Sequence, residues 1–247
     1  MLKFYHDPLS PVSRRVWIGL LEKGIPFEPI TVNLKGEQFE PEFLSLNPFH
    51  HIPVVVDGEL RVLESLAILD YLEAKHPSPS LIPEEPAAIA KMRMVQMVIT
   101  NELTTKIPAL VKAIDASKPD LATVRHIATA LDFLTEQLGD SAYFGGDDLS
   151  LADVTAGALL PLQIRLGVEL KEHPKITAWY KRIMARESWQ QTEPDDDAFE
   201  AWKKSIALII KRRQHRVEAR RVELQSEDRF PDLTACWQSS IYGSPMR

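Results

Sequence analysis

Over roughly the first 77 residues the chain alternates between strand-like and helix-like patterns of apolar and polar positions. Residues 2–5 (LKFY) and 27–32 (FEPITV) are short apolar runs typical of strands, and Pro29 marks the second as an edge strand or an irregular one. Between them, residues 11–23 repeat apolar side chains at helical spacing, which predicts a helix that Gly24 ends. The opening order is therefore β-α-β.

The pattern continues with a short helix, a hairpin and a longer helix. Residues 41–48 (PEFLSLNP) predict a short helical segment that ends at Asn-Pro, and apolar arms flank Asp57-Gly58, a strong two-residue hairpin signal. Ser65 is expected to cap a helix that starts at Leu66. The complete order, β-α-β-α-β-β-α, is that of a small α/β domain.

A proline-rich stretch separates this region from a helical one. Residues 76–86 (HPSPSLIPEEP) contain four prolines in eleven positions, which neither a helix nor a strand tolerates. The next helix has one long apolar face, formed by Ile89, Met92, Val95, Ile99 and Leu103. Further helices are predicted at about 121–138, 151–166, 174–187 and 196–213. The segment LSLAD predicts a capping box in which Ser150 caps and Asp153 reaches back to its amide.

These boundaries predict two domains and a tail. Residues 1–77 form the α/β domain, residues 78–86 the linker, and residues 87–210 an all-helical domain. Residues 211–247 begin as a basic helix end (KRRQHRVEARRVELQ) and continue as a loosely ordered tail.

Composition and charge exclude several classes of function. The 247 residues are 45% hydrophobic and 26% charged with a net charge of −6, so no basic field favours nucleic acid. The single cysteine, Cys236, excludes an intrachain disulfide, a cysteine-based zinc site and a Cys-x-x-Cys redox pair. The sequence has neither a signal-peptide pattern nor an apolar run long enough for a bilayer, so we expect a cytoplasmic protein without a membrane partner.

The segment SPVSRR, residues 10–15, predicts the start of a helix whose capping serine can also contact a substrate. Ser10 followed by Pro11 is the pattern of an N-cap and a first helical residue, and the Ser10 hydroxyl is expected to accept from the Ser13 amide. The same hydroxyl keeps its own proton for another acceptor. Capping and contact with a substrate are therefore compatible at this position.

Three segments together resemble the glutathione transferase family. They are SPVSRRVWIGLLEKGIPFE, LNPFHHIPVVVDGELRVLESLAILDYLEAKHP and YFGGDDLSLADV, and the resemblance covers about residues 1–190. It implies a thioredoxin-like N-terminal domain followed by an all-α C-terminal domain, with glutathione as co-substrate and no metal. The chain is most similar to the serine-type branches of the theta, tau, phi and zeta kind and their bacterial relatives. The Ser-Ser-Cys motif of the zeta branch and the cysteine of the beta branch are absent.

The resemblance implies that Ser10 hydrogen-bonds the glutathione thiolate and favours it over the thiol. Two alternatives stay open: Ser13, one turn further into the helix, and Tyr5, on the strand where tyrosine-type members keep their phenol. Arg14 and Arg15 either add a positive field near the thiolate or form ion pairs that hold the domain together, and we favour ion pairs.

Several residues are implied as glutathione contacts. Ile52, which precedes a cis Pro53 in the family pattern, would pair its backbone with the cysteinyl unit like an added strand. Ser65 would receive the γ-glutamyl carboxylate at a helix N-terminus, and Glu64 would help to hold the neighbouring ammonium.

Weaker expectations concern the rest of the ligand site. His51 stands where the family often has Gln or Lys, and Gln38, with Lys35 as the charged alternative, is near the position that contacts the glycyl carboxylate. The pocket for a small hydrophobic electrophile would lie between the domains, and its candidate residues on the long helix are Met97, Asn101, Thr104 and Thr105.

The resemblance also implies a homodimer, in which Phe49 inserts across the interface. Conjugation of glutathione to small apolar electrophiles, or a variant such as dehalogenation or peroxide reduction, is the expected activity. The alternative is a non-catalytic glutathione-binding module for stress or assembly, which would use the basic C-terminal tail as its interaction element.

Overall fold

The computed structural model describes residues 1–116, 120–208 and 210–211. Met1–Lys204 form one compact unit, and the described residues from Ser205 onward belong to a second. Residues 196–208 are helical, in agreement with the predicted helix at 196–213. The expected basic helix end and loosely ordered tail, from residue 212 onward, lie outside the described residues.

The first part of the chain is a four-stranded sheet with three α-helices. The strands are β1 (Leu2–His6), β2 (Phe27–Thr31), β3 (Val54–Asp57) and β4 (Leu60–Leu63). The helices are α1 (Pro11–Glu22), α2 (Pro41–Leu46) and α3 (Ser65–Lys75), and a 3₁₀ turn, Glu37–Phe39, precedes α2. The order β-α-β-α-β-β-α and its thioredoxin-like class are confirmed.

The sheet has the order β2-β1-β3-β4, with β1 and β2 parallel and the other pairs antiparallel. Strand β2 lies at an edge, where the missing amide of Pro29 is tolerated. The hairpin is present, but its turn starts at Gly58, one position later than predicted, because Asp57 still pairs with Leu60. Gly58 has φ +62°, a conformation that glycine adopts without strain.

The second part of the chain is helical. Its helices are α4 (Pro86–Val98), α5 (Ile107–Ala116), α6 (Leu121–Leu138), α7 (Leu151–Arg165), α8 (Pro174–Met184) and α9 (Glu187–Thr192). A π turn, Ile99–Leu103, and a 3₁₀ turn, Thr104–Lys106, connect α4 to α5, so the long helix changes its pitch within its length. The helix predicted at 174–187 ends earlier, because Arg186 is extended and pairs with Glu22 on α1 at 2.5 Å. Within the described residues, no helix is long and apolar enough to cross a membrane.

A buried ion pair and a backbone hydrogen bond connect the proline-rich segment to both parts of the chain. Lys23 on α1 lies 2.7 Å from Glu73 on α3, and it also donates to the Pro79 carbonyl at 2.5 Å. Glu73 in turn accepts from the amide of Leu81, whose carbonyl accepts from the amide of Leu151 at 2.8 Å. The linker therefore holds α1, α3 and the start of α7 in contact.

The predicted capping box at α7 is present and extends beyond the helix. One oxygen of Asp153 accepts from the amide and the hydroxyl of Ser150, at 2.8 and 2.7 Å. The other accepts from the Phe144 amide at 2.9 Å and from the Trp179 indole at 2.7 Å. Burial raises the pKa of the Asp153 carboxyl, and these four donors oppose that rise. One carboxylate thus joins α7, α8 and the loop between α6 and α7.

Replacing Asp153 with Asn should destabilise the protein by about 2–4 kcal/mol, since an amide turns one acceptor into a donor and leaves buried N–H groups unpaired. Urea unfolding at a constant protein concentration, followed by tryptophan fluorescence, measures the change. The matched control is Asp147→Asn, an exposed position in the same loop, which should change the free energy of unfolding by less than about 0.5 kcal/mol. Equal effects of the two substitutions would refute the role assigned to Asp153.

Candidate active site

The register of the sheet brings three connecting segments to one edge. Tyr5 lies opposite Val54, and Val54 lies opposite Leu63. Because β3 runs antiparallel to β1 and β4, the end of β1, the start of β3 and the end of β4 meet there. The loop to α1, the segment before β3 and the start of α3 therefore leave the sheet side by side.

Ser10 occupies the N-cap of α1, as predicted. Its backbone is extended, with φ −80° and ψ 118°, Pro11 follows as the first helical residue, and its hydroxyl oxygen accepts from the Ser13 amide at 3.3 Å. Ser10 is partly exposed, and within the described residues its hydroxyl donates to no protein acceptor. The hydroxyl proton therefore stands at the positive end of α1, where an anion is favoured.

Asp7 positions this cap, a role that was not predicted from the sequence. Its carboxylate accepts from the Leu9 amide at 2.7 Å, and its carbonyl accepts from the Ser10 amide at 3.1 Å. Burial raises the pKa of the Asp7 carboxyl, while the amides of Leu9 and Ser10 lower it. The signal was available, because an aspartate two residues before an amide that it can bind is the pattern of an Asx turn.

The two alternatives to Ser10, Ser13 and Tyr5, both make their contacts inside the protein. Ser13 is fully buried, and its hydroxyl oxygen lies 3.5 Å from the Asp7 amide, facing the loop rather than solvent. Tyr5 packs against a buried cluster that includes Phe43 and Val54, on the sheet face opposite Phe4. Both observations support Ser10 as the residue that meets a ligand.

The peptide bond between Ile52 and Pro53 is cis, as the resemblance implies. Ile52 lies just before β3 and is half-buried against the cluster around Val54. Within the described part of the chain, neither its N–H nor its C=O has a backbone partner. Its backbone therefore offers one donor and one acceptor next to the sheet edge, as peptide pairing requires.

Asn47 shapes the segment that precedes Ile52, and it too was missed as a site residue. It is 2% exposed, and its side-chain amide donates to the His51 carbonyl at 2.7 Å and accepts from the Phe49 amide at 2.9 Å. These two bonds close residues 47–51 into a compact loop. The His51 side chain is exposed on that loop.

The start of α3 differs from the prediction in one respect. Ser65 is the first residue of the helix, not its cap; Glu64 is the N-cap, and its side chain makes no capping bond. Glu64 has φ +64°, an unfavourable conformation for a residue with a side chain, and such strain is concentrated at functional sites. Ser65 is 5% exposed, and in the described chain its hydroxyl has no partner. The helix therefore opens with uncapped amides and a spare hydroxyl, which together suit a carboxylate.

The side-chain nitrogen and oxygen of Gln38 are both hydrogen-bonded within its own loop. Its side-chain nitrogen donates to the Leu34 carbonyl at 2.8 Å, and its oxygen accepts from the Gly36 amide at 3.1 Å. Lys35 is exposed beside it. A ligand contact from Gln38 would require one of these bonds to break, whereas Lys35 is available without such a change.

The two arginines of α1 have different surroundings. Arg14 pairs with Glu193 at 2.5 Å and donates to the Trp189 carbonyl at 3.2 Å, so the ion pair favoured from the sequence is confirmed there. Arg15 has no such pair with any described carboxylate, so the same expectation is wrong for it. Its guanidinium donates to the Thr100 hydroxyl at 3.0 Å. The reason lies in helix geometry, because adjacent residues point about 100° apart.

The four residues suggested for an electrophile pocket lie at or beside the π turn. Met97 and Asn101 are exposed. The hydroxyl of Thr104 donates to the Ile99 carbonyl and that of Thr105 to the Asn101 carbonyl, each at 2.9 Å. Both threonines therefore present methyl groups and no spare donor.

As for metals, residues 1–116 and 120–208 contain no group of three or more His, Cys, Asp or Glu that could hold an ion.

Comparison with known proteins shows which family the chain is similar to. Residues 4–80 match the family model of the glutathione S-transferase N-terminal domain, and residues 98–187 match that of the C-terminal domain. Glutathione S-transferase 3 of Zea mays is 36% identical over 208 residues, which cover 77% of this chain and 92% of the relative. Maleylacetoacetate isomerase of Rattus norvegicus is 31% identical over 191 residues, which cover 75% and 88%.

Solved structures of similar fold include further glutathione transferases. A glutathione S-transferase from Rhodospirillum rubrum superposes with a TM-score of 0.67 at 28% identity, covering 79% of this chain and 94% of that one. A glutathione transferase homologue from Sulfitobacter with bound glutathione gives 0.66 at 26% identity, covering 77% and 96%. With both domain models matched in order on a thioredoxin-like sheet and a helical second part, the chain belongs to the glutathione S-transferase family, which supports a transferase with glutathione as co-substrate.

Proposed function

We propose that this protein conjugates glutathione to small hydrophobic electrophiles and that Ser10 stabilises the thiolate that attacks. The observation that carries the proposal is the Ser10 hydroxyl, which caps α1 as an acceptor and keeps its proton for a ligand. Glutathione would bind to the α/β domain, residues 1–77, which the linker 78–86 joins to the helical domain 87–210. We place this activity in the cytoplasm, which is typical of the family.

The thiolate is the reactive form, and its stabilisation is within reach of the observed groups. A free cysteine-type thiol has a pKa of about 8.5, and lowering it by two units takes about 2.7 kcal/mol. A hydrogen bond to a charged acceptor contributes about 1.5–3 kcal/mol, and a helix N-terminus adds about 0.3–1 kcal/mol. Ser10 and the start of α1 together therefore supply the required free energy, and Ser10 itself attacks nothing.

The rest of glutathione would lie along the sheet edge. Ile52 would exchange backbone hydrogen bonds with the cysteinyl unit, and Ser65 would hold the γ-glutamyl carboxylate with its hydroxyl and amide. Glu64, held at φ +64° beside Ser65, would face the ammonium of the same unit. His51 is the proposed donor to the tripeptide backbone, and Lys35 replaces Gln38 as the better candidate for the glycyl carboxylate.

The electrophile would lie beside the long helix. Met97 and the methyl groups of Thr104 and Thr105 make the proposed surface apolar, and Asn101 is its polar member. Such a surface favours small apolar substrates, because burial of apolar area is its main source of affinity.

Replacing Ser10 with Ala should raise the pKa of bound glutathione by about one to two units, because the thiolate loses a charge-assisted hydrogen bond. Turnover of an activated aryl halide at pH 6.5 should fall by about 10- to 100-fold and recover in part as the pH rises. The ultraviolet absorbance of the thiolate, titrated in the glutathione complex, measures the pKa directly.

Two variants separate catalysis from folding. Ser10→Asn retains a capping side chain without a hydroxyl proton, so it should show the raised pKa while preserving most of the stability that the cap contributes, about 1 kcal/mol. Tyr5→Phe should leave the thiolate absorbance unchanged. Loss of that absorbance in Tyr5→Phe, with retention in Ser10→Ala, would assign the role to Tyr5 and overturn the proposal.

Replacing Ser65 with Ala should weaken glutathione binding by about 1–2 kcal/mol, since a charge-assisted contact to the γ-glutamyl carboxylate is lost. The pKa of the bound thiol should stay near the wild-type value, because this contact is at the far end of the tripeptide. Isothermal calorimetry gives the affinity and the absorbance titration gives the pKa. An altered pKa with unaltered affinity would contradict the assignment.

We also propose a homodimer, which is general in the family. Two exposed apolar side chains support it: Phe49, 60% exposed on the loop before β3, and Met94, 47% exposed on α4. Sedimentation at micromolar concentration should show a dimer, and Phe49→Ser should weaken it by about 10- to 100-fold through the lost burial of one aromatic side chain. The matched control is Phe39→Ser, at a position 58% exposed, which should leave the dimer intact. A wild-type monomer would refute this part of the proposal.

A further inference from the structure

His50 has a backbone conformation that is unfavourable for a residue with a side chain. Its φ is +53°, and among the described residues Glu64 is the other non-glycine with a positive φ. The His50 ring lies against the ring of Phe39, with centroids 5.2 Å apart and planes inclined by 51°. Aromatic rings attract one another at this separation. Such backbone strain is concentrated at functional sites, where the surrounding structure compensates it, so the contact calls for a functional explanation.

The ring contact joins two segments that are otherwise folded separately. In residues 33–39, the Lys35 amide donates to the Asn33 side chain at 3.0 Å, and Gln38 is bonded within the same turn. In residues 47–51, the His50 amide donates to the Asn47 carbonyl at 3.1 Å, beside the two side-chain bonds of Asn47. Within the described chain, no hydrogen bond runs from one segment to the other. Their exposed sides are therefore connected by the rings of residues 39 and 50.

The order of the sheet determines which part of glutathione would reach these segments. Strand β2 runs parallel to β1, with Thr31 opposite His6, so the segment after β2 leaves the sheet at the same edge as the loop to α1. The order β2-β1-β3-β4 places this segment and Ser65, which follows β4, on opposite sides of Ile52. In the proposed binding mode, the γ-glutamyl unit is at Ser65 and the cysteinyl unit at Ile52. The glycyl unit therefore extends toward the segment that follows β2.

Lys35 and His51 leave the same part of the core. Leu34 and Ile52, their neighbours in sequence, both pack against the buried cluster of Val32, Phe43 and Val54. The side chains of Lys35 and His51 are exposed. Each stands on one of the two segments that the rings connect, so the ring contact influences the distance between these two proposed contacts.

We propose that the Phe39–His50 pair holds Lys35 and His51 at the separation that the glycyl unit requires, and so makes the site select glutathione over γ-glutamylcysteine. The inference rests on the proposed function and names a determinant of its specificity. A ligand that bridges two loops loses less entropy when the loops are already in contact. γ-Glutamylcysteine, which has the same thiol but no glycyl unit, does not bridge them. Phe39 and His50 are positioning residues, because they act through the two segments and not on the thiol.

The test compares the two thiols on the full chain by isothermal calorimetry. The wild type should bind glutathione more tightly than γ-glutamylcysteine. Phe39→Ala should weaken glutathione binding about three- to tenfold, the range that an aromatic pair supplies, and change γ-glutamylcysteine binding by less than about twofold. The kcat at saturating glutathione should stay near the wild-type value, since the thiol is untouched. Phe39→Tyr, which keeps the ring, is the matched control and should keep the wild-type selectivity.

His50→Gly removes the second ring without adding strain, because glycine adopts φ +53° freely. It should weaken glutathione binding to the same extent as Phe39→Ala. The double variant should bind glutathione no more weakly than either single variant, since both substitutions remove one and the same contact.

Three results would overturn the inference and leave the proposed function standing. They are equal binding of the two thiols by the wild type, no change or equal weakening of both thiols in Phe39→Ala, and additive losses in the double variant. The last two would show that the rings do not set selectivity as a pair. A wild type that binds neither thiol would overturn the inference and the proposed function together.

Discussion

Burial of α1 on two sides is the constraint on which the rest of this structure depends. One side faces the sheet and α3, and the other faces α7 and α9, so polar residues in its middle turns must find partners inside the protein. Ser13, Arg14 and Arg15 are all buried, and each meets a different part of the chain. At the N-terminal end the helix reaches the surface, and Ser10 is there. The catalytic hydroxyl that we propose is thus held by a helix that has little freedom to move.

The second constraint is the register of β1, β3 and β4. Their pairing places three chain segments at one sheet edge, and each offers a different kind of group: the Ser10 hydroxyl, the Ile52 backbone and the open start of α3 at Ser65. In the proposed binding mode these groups meet the thiol and the backbone of the cysteinyl unit and the γ-glutamyl carboxylate. Helix N-termini at both ends of this row favour negative charge, which a thiolate and a carboxylate supply.

The helical domain packs against α1, the helix that begins at Ser10. Asp153 fixes the start of α7, which is buried from Leu151 to Gln163, and α7 packs along α1. The π turn brings Thr100 to Arg15, and π turns inserted in α-helices are frequent at functional sites. The second domain therefore also supplies a side chain, Thr100, that contacts the buried guanidinium of Arg15 on α1.

The sequence by itself determined the order of elements, the Ser10 cap and the Asp153 capping box, because these depend on residues within a few positions of one another. The sequence pattern placed the cap of α3 at Ser65, one residue late, and the hairpin turn at Asp57, one residue early. Neither the positive φ of Glu64 nor the register of the strands is set by neighbouring residues alone. The different surroundings of Arg14 and Arg15 were decided only by the tertiary structure, in which their partners Trp189 and Thr100 lie 175 and 85 positions away. A local pattern shows that two arginines enter a helix, but long-range packing decides which one keeps an unpaired charge.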